Sequence, residues 1–335
     1  MSTSRRRRPF VGAALLAATV LLAGCAEEPA PTFTPEPAPE FAPPAVSEER
    51  AQEILDQVEE QVSAADTSGD VEQMRARVAS PAIDFRQTQY ALQTATGGAE
   101  IPLSLTTDSD VIVVTATDSW PRSVLAVSEP VADSTVRQYY GLVQENPRAE
   151  YQLVSWSRLL PGVPTPTFAT AEIGSAPIAD DQAELKVTPG DALARLADVM
   201  ANPASEFAGD FADDPYRTFL NAEVDGLRQG VAVAGELTTS ATSAGPDFAI
   251  ATADGGALVM GTVEITQTLR KTVEGSTLPL PDSWAVLDAP GPVEAAATAT
   301  YRHLVTIYIP PASSPDAQLQ FLGVERVLAS VARTE

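Results

Sequence analysis

Two stretches of the chain repeat each other and decide its predicted fold: VTATDSWPRSVLAV at residues 114–127 and IATADGGALVMGTV at residues 250–263. Each has β-branched or apolar residues on both sides of a turn rich in Asp, Ser, Gly or Pro, which is the pattern of two strands joined by a turn. A second pair follows in the same order, RAEYQLVSW at 148–156 and TATYRHLVT at 298–306. The chain is therefore predicted to contain two copies of one unit, with loops of different length.

Helix signals precede the strands in each half. Ser47 followed by two glutamates is a typical N-cap, and Asp70 and Ser80-Pro81 predict the starts of two further helices. In the second half, Thr188-Pro189 and Asp214-Pro215 give the same signal. The apolar residues after the first cap follow helical spacing: Ala51, Ile54, Leu55, Val58 and Val62. Each half of the chain is therefore predicted to contain helices followed by strands.

The strands are predicted from runs of β-branched and aromatic residues separated by turn clusters. These runs are residues 111–117, 123–128, 137–144 and 151–160, then 231–238, 248–252, 257–269, 298–309 and 318–326. Helices that precede an antiparallel sheet indicate an α+β fold. We therefore predict two repeats, residues 47–178 and 183–333, each with N-terminal helices packed on a curved antiparallel sheet.

This element order resembles the nuclear-transport-factor-like, or cystatin-like, cone fold. Over residues 47–333 the chain also resembles actinobacterial lipoproteins of unknown function that carry two such units in tandem. The resemblance implies a cone-shaped pocket between helices and sheet. It implies no single activity, because the fold hosts enzymes, binding modules and scaffolds.

The N-terminus has the layout of a secretory signal peptide: arginines at residues 5–8, apolar residues at 10–23, then the only cysteine, Cys25. Fourteen apolar residues are too few for a relaxed membrane span of ~20. The stretch from Leu22 to Cys25 resembles the lipobox of bacterial lipoproteins, which implies removal of residues 1–24 and a lipid on Cys25. The alternative is an ordinary signal peptide with an incidental cysteine. Residues 7–11 also resemble a twin-arginine signal, so the export route stays open.

Residues 25–46 are predicted to be a spacer, because seven of the sixteen residues at 29–44 are proline. Such a segment favours an extended polyproline II conformation that spans on the order of 50 Å. It would hold a folded body away from the outer face of the cell membrane.

The chain is strongly acidic, with a formal net charge of −24. Removing residues 1–24 takes away four arginines and no acid, which leaves −28. This charge excludes a typical nucleic-acid binder, which needs Lys and Arg, and anionic headgroups would repel the body. The expected partners are the membrane, through the N-terminal lipid, and a cell-envelope protein or a small apolar ligand.

The common catalytic and metal motifs are not found. With one histidine and Cys25 assigned to the lipid, no zinc spacing exists. Residues 66–77 resemble a calcium loop but have Val71 in place of its glycine and Arg77 in place of its closing glutamate. No Gly-x-Ser-x-Gly motif or phosphate loop is present. We therefore predict no metal, no cofactor and no assigned catalytic residue.

One pair of residues carries a site hypothesis. Tyr301 and His303 share strand parity with Val305, Ile307 and Ile309, so they should point to an apolar, pocket-side face. They are either a buried, hydrogen-bonded pair or an active pair that lines a pocket.

The sequence favours a membrane-anchored, extracytoplasmic lipoprotein that binds a ligand or a protein without catalysis. One alternative is an isomerase- or hydrolase-like enzyme that uses a pocket in the second domain. The other is a structural component of the cell envelope.

Overall fold

The fold is described from a computed structural model over residues 42–130, 135–179, 181–288 and 291–334. The predicted signal peptide, Cys25 and most of the predicted spacer lie outside these residues. Residues 42–46, the end of the predicted spacer, contact the body: the Ala45 amide donates to the Thr115 carbonyl at 2.8 Å. No helix within the described ranges is both long enough and apolar enough to cross a bilayer.

Local capping signals place three of the four helices in the described ranges where the sequence predicts them. The helices are α1 (Glu48–Ser68), α2 (Ala82–Ala95), α3 (Pro189–Ala201) and α4 (Pro215–Val231). The side chains of Ser47, Thr188 and Asp214 accept the backbone N–H of the third residue after them and so cap α1, α3 and α4. Helix α2 begins after Pro81 without the predicted side-chain cap from Ser80. Gly69 ends α1 in the left-handed conformation, with φ of 70°.

The helix predicted from Asp70 is instead a short 3₁₀ turn at Val71–Met74. Residues 77–79 pair with the backbone of Leu153, which donates to the Arg77 carbonyl at 2.8 Å. This long-range pairing takes the backbone out of helical geometry, so the local capping signal does not extend into an α-helix.

Most of the strands are close to those predicted. The strands are β1 (Ser109–Val114), β2 (Arg122–Ser128), β3 (Gln138–Gln144), β4 (Gln152–Leu159), β5 (Gly235–Ala251), β6 (Ala257–Lys271), β7 (Leu278–Pro279), β8 (Pro292–Val293), β9 (Ala296–Ile309) and β10 (Gln320–Thr334). Strand β5 is one long strand where two were predicted, and the first predicted start, Val231, is the last residue of α4. Strand β10 continues to Thr334, past its predicted end at Arg326, and β7 and β8 were not predicted.

Eight of the strands form one strongly curled antiparallel sheet, a half-barrel, in the order β1-β2-β3-β4-β10-β9-β6-β5. Each half of the chain contributes a meander of four strands, and β4 joins β10 at the centre. The remaining strands, β7 and β8, pair with each other. The protein is thus a mixed α+β fold, as predicted. Residues 178, 179 and 181–183, at the predicted domain boundary, lie outside helices and strands.

Helices cover the outer side of each meander, and apolar side chains fill the space between the meanders. Helices α1 and α2 pack on the first meander, and α3 and α4 pack on the second. The inner cluster combines both meanders: Val113, Leu125, Val127, Tyr139, Val143, Val154, Phe248, Ile250, Leu258, Met260, Tyr308 and Leu322. At Gly141 the packing is so close that an added Cβ would lie 2.8 Å from the Met260 sulfur.

A strap at residues 174–177 spans the gap between the two edges of the curled sheet. On the β1 side, Ser175 exchanges two backbone hydrogen bonds with residues 114 and 116, at 2.9 and 2.8 Å. On the β5 side, the Ala251 amide donates to the Ala176 carbonyl at 3.1 Å. Gly174, with φ of 76°, lies so close to Ala116 that a Cβ would be 2.9 Å from the alanine side chain. The strap therefore links the first and last strands of the sheet order.

The first pair of sequence echoes lies at matching positions, because residues 114–127 and 250–263 both join the outermost strand of a meander to the next. The second pair does not match in this way. Residues 148–156 run into β4, the innermost strand of its meander, whereas residues 298–306 lie in β9, the third strand of the other.

Candidate functional site

The two predicted site residues lie together on the buried face of β9. Tyr301 and His303 point toward α3 and α4, as strand parity predicts, and His303 is fully buried. Its Cα partners on the neighbouring strands are Val263 and Arg326. His303 thus sits in the middle of the second meander, beneath the helices.

The surroundings of His303 come from α4 and β10. The Tyr216 ring meets the His303 ring edge-on, with centroids 6.0 Å apart. The Arg326 guanidinium lies 3.9 Å from the centre of the Tyr301 ring and donates to the Glu223 carboxylate at 2.8 Å. We call these five residues, Tyr216, Glu223, Tyr301, His303 and Arg326, the His303 cluster.

The electrostatics of the His303 cluster keep the imidazole neutral. Burial, and secondarily the positive charge of Arg326, lower the pKa of His303 to about 3. Within the described part of the chain, neither ring nitrogen nor the Tyr216 hydroxyl makes a hydrogen bond. Tyr301 and His303 are both buried, as the first of the two interpretations of this pair expects. Backbone groups of Val263 and Tyr301 favour the protonated ring but do not outweigh burial. A neutral, enclosed imidazole is poorly placed to meet a substrate.

A surface cleft of about 340 Å³ lies at one end of the apolar layer between the two meanders. Its walls come from the β1–β2 turn, the end of β3, the segment after the strap, and β5. The lining residues are Ser119, Trp120, Pro121, Ser123, Val143, Glu145, Pro177, Ile178, Ala179, Gln182, Pro246, Asp247, Phe248 and Ala249. We call it the Asp247 cleft; its volume is within the range of small-molecule sites.

A β-bulge places Asp247 in the cleft. Pro246 pairs with Gly261 and Phe248 pairs with Met260, so Asp247 is an extra residue without a partner position on β6. Such bulges re-aim a side chain and are frequent beside functional sites. Gly245, at φ of 97°, lies in a second register shift directly before the Asp247 bulge, between Ser243 and Pro246.

The Asp247 carboxylate is half-buried and accepts a hydrogen bond from the Thr262 hydroxyl at 3.1 Å. Burial raises the pKa of Asp247 to about 6, and the bond from Thr262 opposes that shift. A carboxyl group in a cleft with a pKa so displaced is a candidate for binding or proton transfer.

Trp120 forms the outer wall of the cleft. Its side chain is 37% exposed, whereas Trp156 and Trp284 are buried. The guanidinium of Arg122 lies 4.2 Å from the centre of the Trp120 ring. An aromatic wall, an apolar floor at Phe248 and one half-buried carboxylate give the cleft the make-up of a ligand site.

Residues 42–331 match the family described as Domain of unknown function (DUF8094). The chain belongs to this family. No curated protein and no solved structure matches the chain. Membership covers the whole described body, including the His303 cluster and the Asp247 cleft.

Asp247, Trp120 and Glu145 are not among the site residues predicted from the sequence. Gly245-Pro246 lies between the two strands that were predicted in this region, residues 231–238 and 248–252. Gly and Pro inside a run of β-formers also mark a bulge, and that signal could have pointed to Asp247. Among the described residues, no group of side chains is arranged to hold a metal ion.

Proposed function

We propose that this protein is a lipid-anchored, extracytoplasmic binding module that receives its ligand or partner in the Asp247 cleft. The observation that carries the proposal is the bulge on β5, which directs a half-buried carboxylate into an open, aromatic-walled cavity. The lipobox-like segment that ends at Cys25 supports the anchor, and the proline-rich spacer supports display of the body away from the membrane.

We also propose that residues 47–178 and 183–333 are copies of one α+β unit of the cone type. Each half has two α-helices followed by a four-stranded meander in the same order, with its last strand at the seam. The first pair of sequence echoes lies at matching positions in the two halves, which supports the proposal that they are copies of one unit. In this arrangement the cleft lies where the outer strands of the two copies approach each other.

Binding without catalysis is the better supported function, because His303 is fully buried and neutral. One observation favours the enzymatic alternative: a carboxylate with a pKa near 6 could act as a general base at neutral pH. An isomerase- or hydrolase-like enzyme of this kind would use Asp247 rather than His303.

The test is photo-cross-linking from the cleft in intact cells. The photo-reactive residue p-benzoylphenylalanine replaces Trp120 in the full-length protein. A matched control carries it at Val233, which is 85% exposed and precedes the opposite end of β5. We expect a discrete adduct from position 120 that position 233 does not give. Equal labelling from both positions would indicate a structural surface component, and no labelling from position 120 would refute a binding cleft.

A further inference from the structure

The charge of the Asp247 cleft indicates what enters it. Its ionisable lining residues are Asp247 and Glu145, both acids, and among the described lining residues there is no Lys, Arg or His. The whole chain carries a formal net charge of −24. A ligand that carries negative charge would therefore be repelled both at long range and inside the cleft.

Asp247 differs from three other shielded carboxylates of the protein. Asp66, Asp214 and Glu325 are each met by an arginine, Asp66 by Arg86 at 2.7 Å and Glu325 by Arg158 at 2.7 Å. Asp247 has the Thr262 hydroxyl as its hydrogen-bond donor and no ion pair among the described residues. An ionised carboxylate can accept about four hydrogen bonds. The side chain therefore has unused acceptor capacity that faces the cavity.

We infer that the Asp247 cleft binds the cationic end of its ligand, an alkylammonium or guanidinium group, with the Asp247 carboxylate as counter-ion. This inference rests on the proposed function and names the chemistry of the ligand. A bound cation would give Asp247 the partner that Asp66, Asp214 and Glu325 find within the protein, and Glu145 would add a second negative charge at the exposed rim.

Arg122 limits where the cation lies. Its guanidinium already occupies the neighbourhood of the Trp120 ring, 4.2 Å from the ring centre. A second cation stacked there would meet like-charge repulsion. The cationic group therefore belongs at the Asp247 and Phe248 side of the cleft, with the rest of the ligand along Trp120.

Two sources supply this chemistry, a free organic cation and a basic side chain of a protein. The cleft volume of about 340 Å³ suits either one. The experiment therefore uses three probes: N-acetylarginine amide, its neutral isostere N-acetylcitrulline amide, and a short capped peptide whose only charged side chain is one arginine. Arginine and citrulline have nearly the same shape and differ in charge, so their comparison isolates the ion pair.

Each probe is titrated into the full-length protein in detergent, and binding is followed by fluorescence. Trp120 is the reporter, because Trp156 and Trp284 are buried. We expect the arginine probe to bind at least about tenfold more tightly than the citrulline probe. Asp247→Asn should abolish this difference. Glu60→Gln, which removes one exposed charge on α1, should preserve it and controls for net charge.

Affinity for the arginine peptide well above that for the amide would assign the cation to a protein partner; equal affinities would assign it to a small molecule. Equal binding of the arginine and citrulline probes, or no binding of the arginine probe, overturns the cationic inference. In either case, a discrete cross-link from position 120 would leave the proposed binding function standing. Circular dichroism melting of Asp247→Asn checks that this variant is folded.

Discussion

Replacing His303 with methionine should make the protein less sensitive to acid. The ring of His303 is fully buried, and its pKa in the folded state is about 3. In the unfolded chain a histidine has a pKa of about 6.5. Because the folded-state pKa is depressed, this group destabilises the fold only when the pH falls below 6.5, where the unfolded chain binds a proton that the folded chain rejects.

The size of the effect follows from this pKa difference. Each pH unit below 6.5 favours the unfolded state by about 1.4 kcal/mol, until the folded-state pKa is reached. Between pH 7 and pH 5, His303 alone should therefore remove about 2 kcal/mol from the free energy of unfolding. His303→Met keeps an adaptable apolar side chain and cannot titrate. Since the ring nitrogens make no hydrogen bond in the described residues, the variant should be about as stable as the wild type at pH 7.

The assay is urea denaturation of wild type and variant at pH 7, 6 and 5, followed by the fluorescence of the buried residues Trp156 and Trp284. The difference between the two proteins should shift by about 2 kcal/mol in favour of His303→Met at pH 5. Gln267→Met is the matched control, because Gln267 is also buried on this face and cannot titrate. If wild type and His303→Met lose the same stability between pH 7 and pH 5, the enclosed neutral histidine is refuted.

Four further changes test other features. Cys25→Ser should release the protein from the membrane fraction, and unchanged fractionation would contradict lipid anchoring. Asp247→Asn should stabilise the protein by about 1–2 kcal/mol at pH 8 in urea denaturation; the raised pKa allows about 3 kcal/mol before solvent screening is discounted. The gain should vanish at pH 4, because stability from a raised carboxyl pKa is present at low pH and lost as pH rises through it. Arg86→Met should cost about 3 kcal/mol, because the arginine is 1% exposed and its carboxylate partner would be left unpaired; a loss below about 1 kcal/mol would contradict this. Gly141→Ala should cost about 1–3 kcal/mol by overpacking the two meanders, whereas Gly190→Ala in α3, with open space around its Cα, should be tolerated; equal melting temperatures of the two variants would refute the packing argument.

The sequence predicted those parts of the fold that depend on neighbouring residues. The caps at Ser47, Thr188 and Asp214 act within one helical turn, and the structure has all three. Strand parity likewise placed Tyr301 and His303 on the buried face. Signals of this kind need no knowledge of distant residues.

The features of the fold that the sequence did not predict depend on pairing between residues far apart in the chain. The predicted helix after Asp70 yields to pairing with Leu153, and the join of β4 to β10 has no local signal. The candidate site also depends on residues that are distant in sequence. Asp247 acquires its environment from Thr262 and from the β1–β2 turn, and nothing near Gly245-Pro246 in sequence reveals that those elements meet there.

The pairing of β4 with β10 can form only after the last strand of the chain has been synthesised. Arg158 on β4 contacts Glu325 on β10 across 167 positions of sequence. A chain synthesised from its N-terminus therefore presents the open edge of β4 long before the strand that covers it exists. Unpaired strand edges template aggregation, and pairing over such separations is slow to form. A product truncated before residue 320 would keep that edge open, so we expect it to aggregate even though its first four strands and both of their helices are intact.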